Sequence, residues 1–361
     1  MPALPKATQI ASPVSPQITD QREFRFLSTS KVATMERELN ELAAQGVRLE
    51  RVSKSLLDDQ IAALMVRDPA TPNTTRYEYK IISTRRAATM EKELTEAAGQ
   101  GFELRGLTPL FRPGIGALIG DETALVVERP ASEVARRYEY KLLSTRREKT
   151  MQKELEEVLA AGYTPLEMVR GQDNGAASLL FGPQFVNTII FGRKVGSSEA
   201  NAAVREYKFL TTTKMGTMER EMNQATKEGY RFYMSAPNML MLMYRERETK
   251  GVAPYQYKLL ATRKTATMQK ELLEQGEVGY KYLATTTGLG GLATVLERDL
   301  TLDPKESRRE YKLLATTREK TTQKEIADTL AAGYQILDLT TIGEFILVLD
   351  RIAGSAPAST N

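Results

Sequence analysis

The sequence predicts an α+β protein of six tandem β-α-β-β modules. Each would be a small three-stranded, mainly antiparallel sheet with one helix on one face, and the six would pack as a pseudo-symmetric array or ring. Three observations carry this prediction. A block that begins at Glu23, Glu78, Glu139, Glu206, Gln256 and Glu310 recurs without a gap, ending at Gly46, Gly101, Gly162, Gly229, Gly279 and Gly333. Inside the block, alternating polarity gives way to helical periodicity. Each copy is then closed by a strongly apolar run ending in Arg. Successive copies start between 50 residues (Glu206 to Gln256) and 67 residues (Glu139 to Glu206) apart. A unit of that size buries too little surface to stand alone, so its neighbours complete its core.

The third unit shows the reasoning for each element. Tyr138 to Ser144 alternates, with Tyr140, Leu142 and Ser144 on one side and Glu139, Lys141 and Leu143 on the other, as a half-buried strand does. Thr145 to Lys149 is the turn out of it. Thr150 stands where an N-cap is expected, just before Met151. Met151, Leu155, Val158 and Leu159 then follow at helical spacing, and Gly162 stops the helix in a left-handed conformation with Tyr163 folded back on its last turn. Tyr163 to Val169 and Phe185 to Phe191 read as the second and third strands.

The other third strands are Ile61 to Arg67, Thr123 to Arg129, Met239 to Arg245, Leu292 to Arg298 and Phe345 to Arg351. These are the most apolar segments, which places the third strand in the middle of each sheet, antiparallel to both neighbours. A right-handed crossover lays the helix on one face. The other face keeps a Glu-x-Lys pair in four units and is expected to be wet or ion-paired. Units one and five depart, with Arg25 for the Lys and Gln256 for the Glu.

Short polar links set the boundaries: a Pro/Ala/Ser-rich leader over 1–21, repeats over 22–68, 76–130, 136–195, 205–248, 255–299 and 308–352, and a tail over 353–361. The leader and tail are read as flexible. The chain of 361 residues has no Cys, His or Trp, which removes disulfides, thiolate nucleophiles and imidazole acid–base chemistry. Its net charge of +4 (50 Lys and Arg against 46 Asp and Glu) is only mildly basic. No apolar run approaches the ~18 residues that span a bilayer. Compartment is unassigned: the default is a soluble cytoplasmic protein, and an exported protein lacking its signal peptide is the alternative.

Tyr77 to Lys80, Tyr138 to Lys141 and Glu206 to Lys208, with Gly101-Phe102-Glu103-Leu104 after the helix, resemble an uncharacterised bacterial family of small domains. That family has a YEYK-type first strand and a Gly-Trp-Glu-Leu element. Where it has Trp, this chain has Val47, Phe102, Tyr163, Tyr230, Tyr280 or Tyr334. The resemblance implies a β-α-β-β domain repeated six times and no catalytic residue.

Two sets of residues are candidates for contact with a partner. The turns before the helices hold Lys31, Arg85, Arg86, Arg146, Arg147, Lys214, Arg263, Lys264 and Arg318, beside N–H groups that a helix leaves free. Six such turns could form a track for a polyanion such as nucleic acid. The structural alternative is a solvated turn whose bases pair with Glu36, Glu91, Glu148 or Glu319. Long hairpins in units two and three carry Leu110, Phe111, Ile115, Leu118, Ile119, Leu179, Leu180 and Phe181, which either pack on neighbouring modules or bind a partner or second copy.

The remaining motifs read as structural. Gly114 to Gly120 misses the dinucleotide pattern and sits between strands. Met234, Met239, Met241 and Met243 fit a core. Asp58-Asp59 lies in a loop without a catalytic partner. The expectation is a non-enzymatic scaffold for protein interaction or self-assembly, with polyanion binding as the alternative and no cofactor or metal.

Overall fold

In each of the six units, strand, helix, strand and strand form in the predicted order. The computed structural model describes residues 22–56, 58–68, 75–110, 122–132, 135, 137–146, 148–173, 184–196, 205–212, 214–248, 251–262, 264–288 and 291–354. The first strands are β1 (Glu23–Thr29), β5 (Tyr77–Thr84), β8 (Tyr138–Thr145), β11 (Arg205–Leu210), β14 (Tyr255–Thr262) and β17 (Arg309–Thr316). The helices are α1 (Val32–Ala44), α2 (Ala87–Gly99), α3 (Glu148–Ala160), α4 (Met215–Lys227), α5 (Thr265–Glu277) and α6 (Glu319–Ala331). The second strands are β2 (Arg48–Val52), β6 (Glu103–Leu110), β9 (Thr164–Asp173), β12 (Arg231–Ala236), β15 (Lys281–Gly288) and β18 (Gln335–Thr341). The third strands are β4 (Ile61–Arg67), β7 (Glu122–Pro130), β10 (Gln184–Lys194), β13 (Leu240–Glu246), β16 (Gly291–Asp299) and β19 (Phe345–Ile352). As predicted, every sheet runs first–third–second with antiparallel pairing.

Each helix begins three residues earlier than its Thr-Met step suggests. Thr150 lies inside α3 rather than at its N-cap. At five of the helices the N-cap is the base itself (Lys31, Arg86, Lys214, Lys264, Arg318), in extended conformation. The glycine stop holds throughout. Gly46, Gly101, Gly162, Gly229, Gly279 and Gly333 all have φ between 82 and 87°, and the next N–H reaches back to the helix, as in Tyr230 N to Ala225 O at 3.0 Å.

The expectation of a wet sheet face does not hold. Every hydrophobic cluster crosses a module boundary: Met35 and Leu39 of α1 pack with Tyr79, Ile81 and Val126 of the second unit. Met151 and Leu155 of α3 pack both on Leu143 of their own sheet and on Tyr207 and Phe209 of the next. The helix therefore lies on the Glu-x-Lys side of its own sheet, while the tyrosine side is covered by the preceding helix. The same rule joins the last unit to the first, where Leu330 and Ile326 of α6 bury against Phe24 and Phe26 of β1. A parallel pairing of β3 (Lys54–Ser55) with β18 adds a second join. Six modules thus close into a ring.

Residues kept by the repeat hold this ring together. The acid of the first strand pairs with the Arg that ends the third strand: Glu78 with Arg129 and Glu139 with Arg193 at 2.6 Å, Glu310 with Arg351 at 2.5 Å. The same guanidinium donates to the end of the helix, Arg129 to Gln100 O at 2.8 Å and Arg351 to Ala332 O at 2.9 Å. It also stacks on the aromatic after the glycine, 4.6 Å from the Phe102 ring and 4.7 Å from that of Tyr334.

Unit five lacks the acid, and Arg298 Nε is buried without a partner. Gln256→Glu should supply it and stabilise the fold by about 0.5–1 kcal/mol. A carboxylate beside Arg298 titrates lower when folded than unfolded, so the gain is present above the usual carboxylate range and lost as pH falls through it. Urea melts at pH 7 and pH 3 check both parts.

The free edge of each first strand is a hazard that the preceding helix manages. Asn40 of α1 accepts from Tyr79 N and donates to Tyr79 O, both at 2.9 Å, while Glu36 accepts from Ile81 N at 2.6 Å. Asn223 and Glu219 of α4 repeat this on Tyr257 and Leu259. Gln269 of α5 and Gln323 of α6 span two positions alone.

Each second strand carries a bulge, and in four of the six a tyrosine hydroxyl of the next module takes a bulge N–H. Leu49 N donates to Tyr79, Leu104 N to Tyr140, Phe232 N to Tyr257 and Tyr282 N to Tyr311, at 2.7–2.8 Å. Burial raises the pKa of all four phenols, so they stay protonated. Tyr79 and Tyr257 in turn donate hydrogen bonds to the buried carboxylates Glu128 and Glu297, at 2.6 and 2.8 Å.

Candidate functional site

The predicted basic turns form a circle, because equivalent positions in a closed ring of like modules lie on one rim. Lys31, Arg85, Arg86, Arg146, Lys214, Lys264 and Arg318 are all exposed, while Arg147 and Arg263 lie outside the described residues. Local backbone sets the position of the cations. The first threonine of each block accepts the N-cap N–H, Thr29 from Lys31 at 3.1 Å and Thr316 from Arg318 at 3.2 Å. The N-cap carbonyl then opens the helix, Lys31 O accepting from Met35 N at 3.0 Å and Arg86 O from Met90 N at 2.9 Å.

No N-cap side chain caps its own helix at these five sites, and only α6 among them has an acid in its first turn. Two of the four pairing partners expected from sequence are engaged elsewhere: Glu36 holds Ile81 N and Glu319 accepts from Ser28 Oγ. Among the described residues Lys31, Arg85, Arg86, Lys214, Lys264 and Arg318 make no ion pair. Each of these five turns therefore presents a cation beside N–H groups at the positive end of a helix, the electrostatic make-up of an anion site.

The apolar hairpins fare differently. Leu110 is not a loop residue: it ends β6 and is fully buried in the cluster of α1, so it packs on the neighbouring module. Phe111, Ile115, Leu118, Ile119, Leu179, Leu180 and Phe181 lie outside the described residues. The methionines behave as core, with Met239, Met241 and Met243 fully buried beside Met218 and Met222.

Sequence reasoning missed the polar centre of the ring. The second strands meet there, and Thr285, Thr286, Thr287, Thr340, Thr341, Ser55 and Thr108 are all buried. Hydroxyls and backbone cross between units: Thr286 Oγ1 donates to Ala236 O at 2.6 Å, Asn238 N donates to Thr287 Oγ1 at 2.9 Å, and Ser55 N donates to Thr108 Oγ1 at 3.1 Å. Arg170 reaches Asn238 O at 2.7 Å.

Tyr282 donates to Asp338 of the next unit, and burial first, then the Asp338 charge, pushes its phenol pKa up. Glu167 is held above the usual carboxylate range by desolvation, opposed by Lys54 from a non-adjacent unit. The signal in the sequence was the run of threonines in second strands, where aliphatic residues would be usual.

Asp58 also has a role. Its carboxylate accepts from Thr341 Oγ1 at 2.8 Å and Gly343 N at 2.6 Å, stapling the first unit to the sixth. Among the described residues no group of acidic side chains is arranged to hold a metal ion. No described helix is long and apolar enough to cross a membrane. Comparison of the chain with family models, curated proteins and solved structures found no match.

Proposed function

We propose that this ring is a non-enzymatic interaction scaffold, working through its surface by binding a protein partner or by self-assembly. One observation carries the reading: the chemistry-bearing residues that the repeat preserves have structural work. The strand acid and closing Arg pair with each other, the second tyrosine caps a bulge, and the Glu or Gln after the Met clamps a strand edge. A motif whose reactive groups are spent on architecture supports a binding role better than a catalytic one. Sedimentation across a hundredfold concentration range, with native mass spectrometry of the protein as isolated, tests this. Self-association or a partner in fixed stoichiometry is expected. A monodisperse monomer that retains nothing counts against it.

The repeated base at the helix N-cap is the exception, and it favours a second reading, polyanion binding. Ser, Thr, Asp and Asn are the usual caps, and a cation at the positive end of a helix costs about 0.3–1 kcal/mol. A base in this position in unit after unit, unpaired, fits an anionic ligand better than it fits helix stability. Binding to labelled oligonucleotides should then weaken steeply with salt, by roughly a thousandfold between about 50 and 200 mM for six contacts. Replacing Arg85 and Arg86 by Ala should flatten that slope. Absence of binding at low salt would remove this reading.

A further inference from the structure

The seam between the third and fourth modules differs from the other five. A cavity of about 390 Å³ opens there between α3 and β11, within the size range of small-molecule sites. Departures from the repeat coincide at it. Glu156 stands where α1 and α4 have the clamping Asn40 and Asn223, so the β11 edge is held only by Gln152, which donates to Tyr207 O at 3.1 Å. Leu159 stands where α1, α2, α4 and α5 have the smaller Ala43, Ala98, Thr226 and Gly276, and α6 alone shares the leucine, as Leu330. Pro165 stands where other second strands offer a bulge N–H. The Tyr207 hydroxyl, in a residue 4% exposed, is left buried without a hydrogen bond. This combination occurs at no other seam of the chain.

The wall chemistry is divided. At one side Glu156 is exposed and forms no ion pair among the described residues; only the Gln152 amide approaches it, at 3.4 Å. At the other side stand Arg205, already paired with Glu246 at 2.8 Å, and Arg247. Arg247 is held loosely, 3.5 Å from a Glu206 carboxylate that Arg245 already grips at 2.6 Å. Leu159, Tyr207 and Tyr230 also line the cavity between them.

We propose that this seam is a binding site for a small zwitterion with an apolar body, of the size of a dipeptide. Its ammonium would face Glu156 and its carboxylate Arg247, with the apolar body against Leu159 and Tyr230. A ligand with opposite charges at its two ends satisfies both walls at once. A simple anion would leave Glu156 facing a like charge, and a simple cation would leave Arg247 with only its 3.5 Å contact to a Glu206 carboxylate that it shares with Arg245. The site stands apart from the interaction reading above and does not depend on it.

The test uses leucyl-leucine, its N-acetyl form and its C-terminal amide as probes, titrated into the full chain by calorimetry and ligand-observed NMR. The free dipeptide should bind, and each blocked form should bind more weakly by about tenfold or more. Glu156→Gln should weaken the free dipeptide by a similar factor and leave the N-acetyl form unchanged. Arg247→Ala should mirror this with the amide. Both side chains are exposed, so the variants should fold normally, which circular dichroism checks. The proposal fails if none of the three probes binds, if blocked and free forms bind alike, or if neither substitution discriminates between them.

Discussion

Gly276→Ala should destabilise the ring by about 3 kcal/mol, because overpacking against rigid backbone cannot relax. A Cβ built at Gly276 would lie 2.2 Å from the Arg309 carbonyl oxygen and 3.0–3.1 Å from the Tyr311 ring. The obstacle is the first strand of the next module, which is fixed in turn by Gln269 and by the Tyr311 hydroxyl. Glycine is present here for close approach and not for its backbone freedom, since the residue is helical. Gly216 in α4 is the matched control, with nothing within 4 Å of its Cβ position. Gly216→Ala should therefore stabilise by roughly 1 kcal/mol through helix propensity. Urea midpoints at constant slope measure both effects. Equal effects of the two substitutions would show that the α5–β17 approach is looser than described.

Gln323→Ala should cost about 2–4 kcal/mol, since it strands two buried backbone groups at once. Gln323 Nε2 donates to Phe24 O and its Oε1 accepts from Phe26 N, both at 2.7 Å. These bonds clamp the edge of β1 where the sixth module meets the first. Gln323→Glu keeps the acceptor for Phe26 N and loses the donor, so an intermediate loss is expected. Hydrogen exchange should locate the effect: the Phe26 amide should lose protection, while Ile81, clamped by Glu36 in another seam, should keep it unless the ring opens as a whole. Wild-type protection at Phe26 in the Ala variant would mean that the helix–edge clamp is not what protects this strand.

The module was legible because its signals are local. Alternation in Tyr138 to Ser144, helical spacing from Met151 to Leu159 and the stop at Gly162 each depend on neighbours a few residues away. The relation between modules was not legible in the same way. Gln323 and Glu36 read as ordinary helix-surface residues, and only the meeting of a helix with the following strand shows what they bond. Asp58 looked idle in its loop because its partners, Thr341 and Gly343, lie at the other end of the chain.

Ring and open array use the same repeat, so closure shows only where the sixth helix meets the first strand, with the β3–β18 pairing and Asp58 as added joins. The helix starts were misplaced for a different reason: Thr150 has the usual capping chemistry, but a base three positions earlier takes that role in the other units. At the candidate site, the bases were found by composition alone. Their lack of ion pairs could not be, since Glu36 and Glu319 are near enough in sequence to suggest pairing. The seam cavity was hidden because Leu159 and Pro165 are unremarkable residues until they are compared with their counterparts around the ring.

Because α6 buries against β1, the turn from one module to the next is fixed at one sixth of a circle. An open solenoid can gain or lose a repeat and only change length. Here a seventh copy would overshoot its own beginning and a fifth-only version would leave a gap, each exposing a helix face and a strand edge that have no other cover. The number of copies is thus a property of the closed geometry, and duplication within this gene would yield a second ring or a misfolded chain, never a longer one.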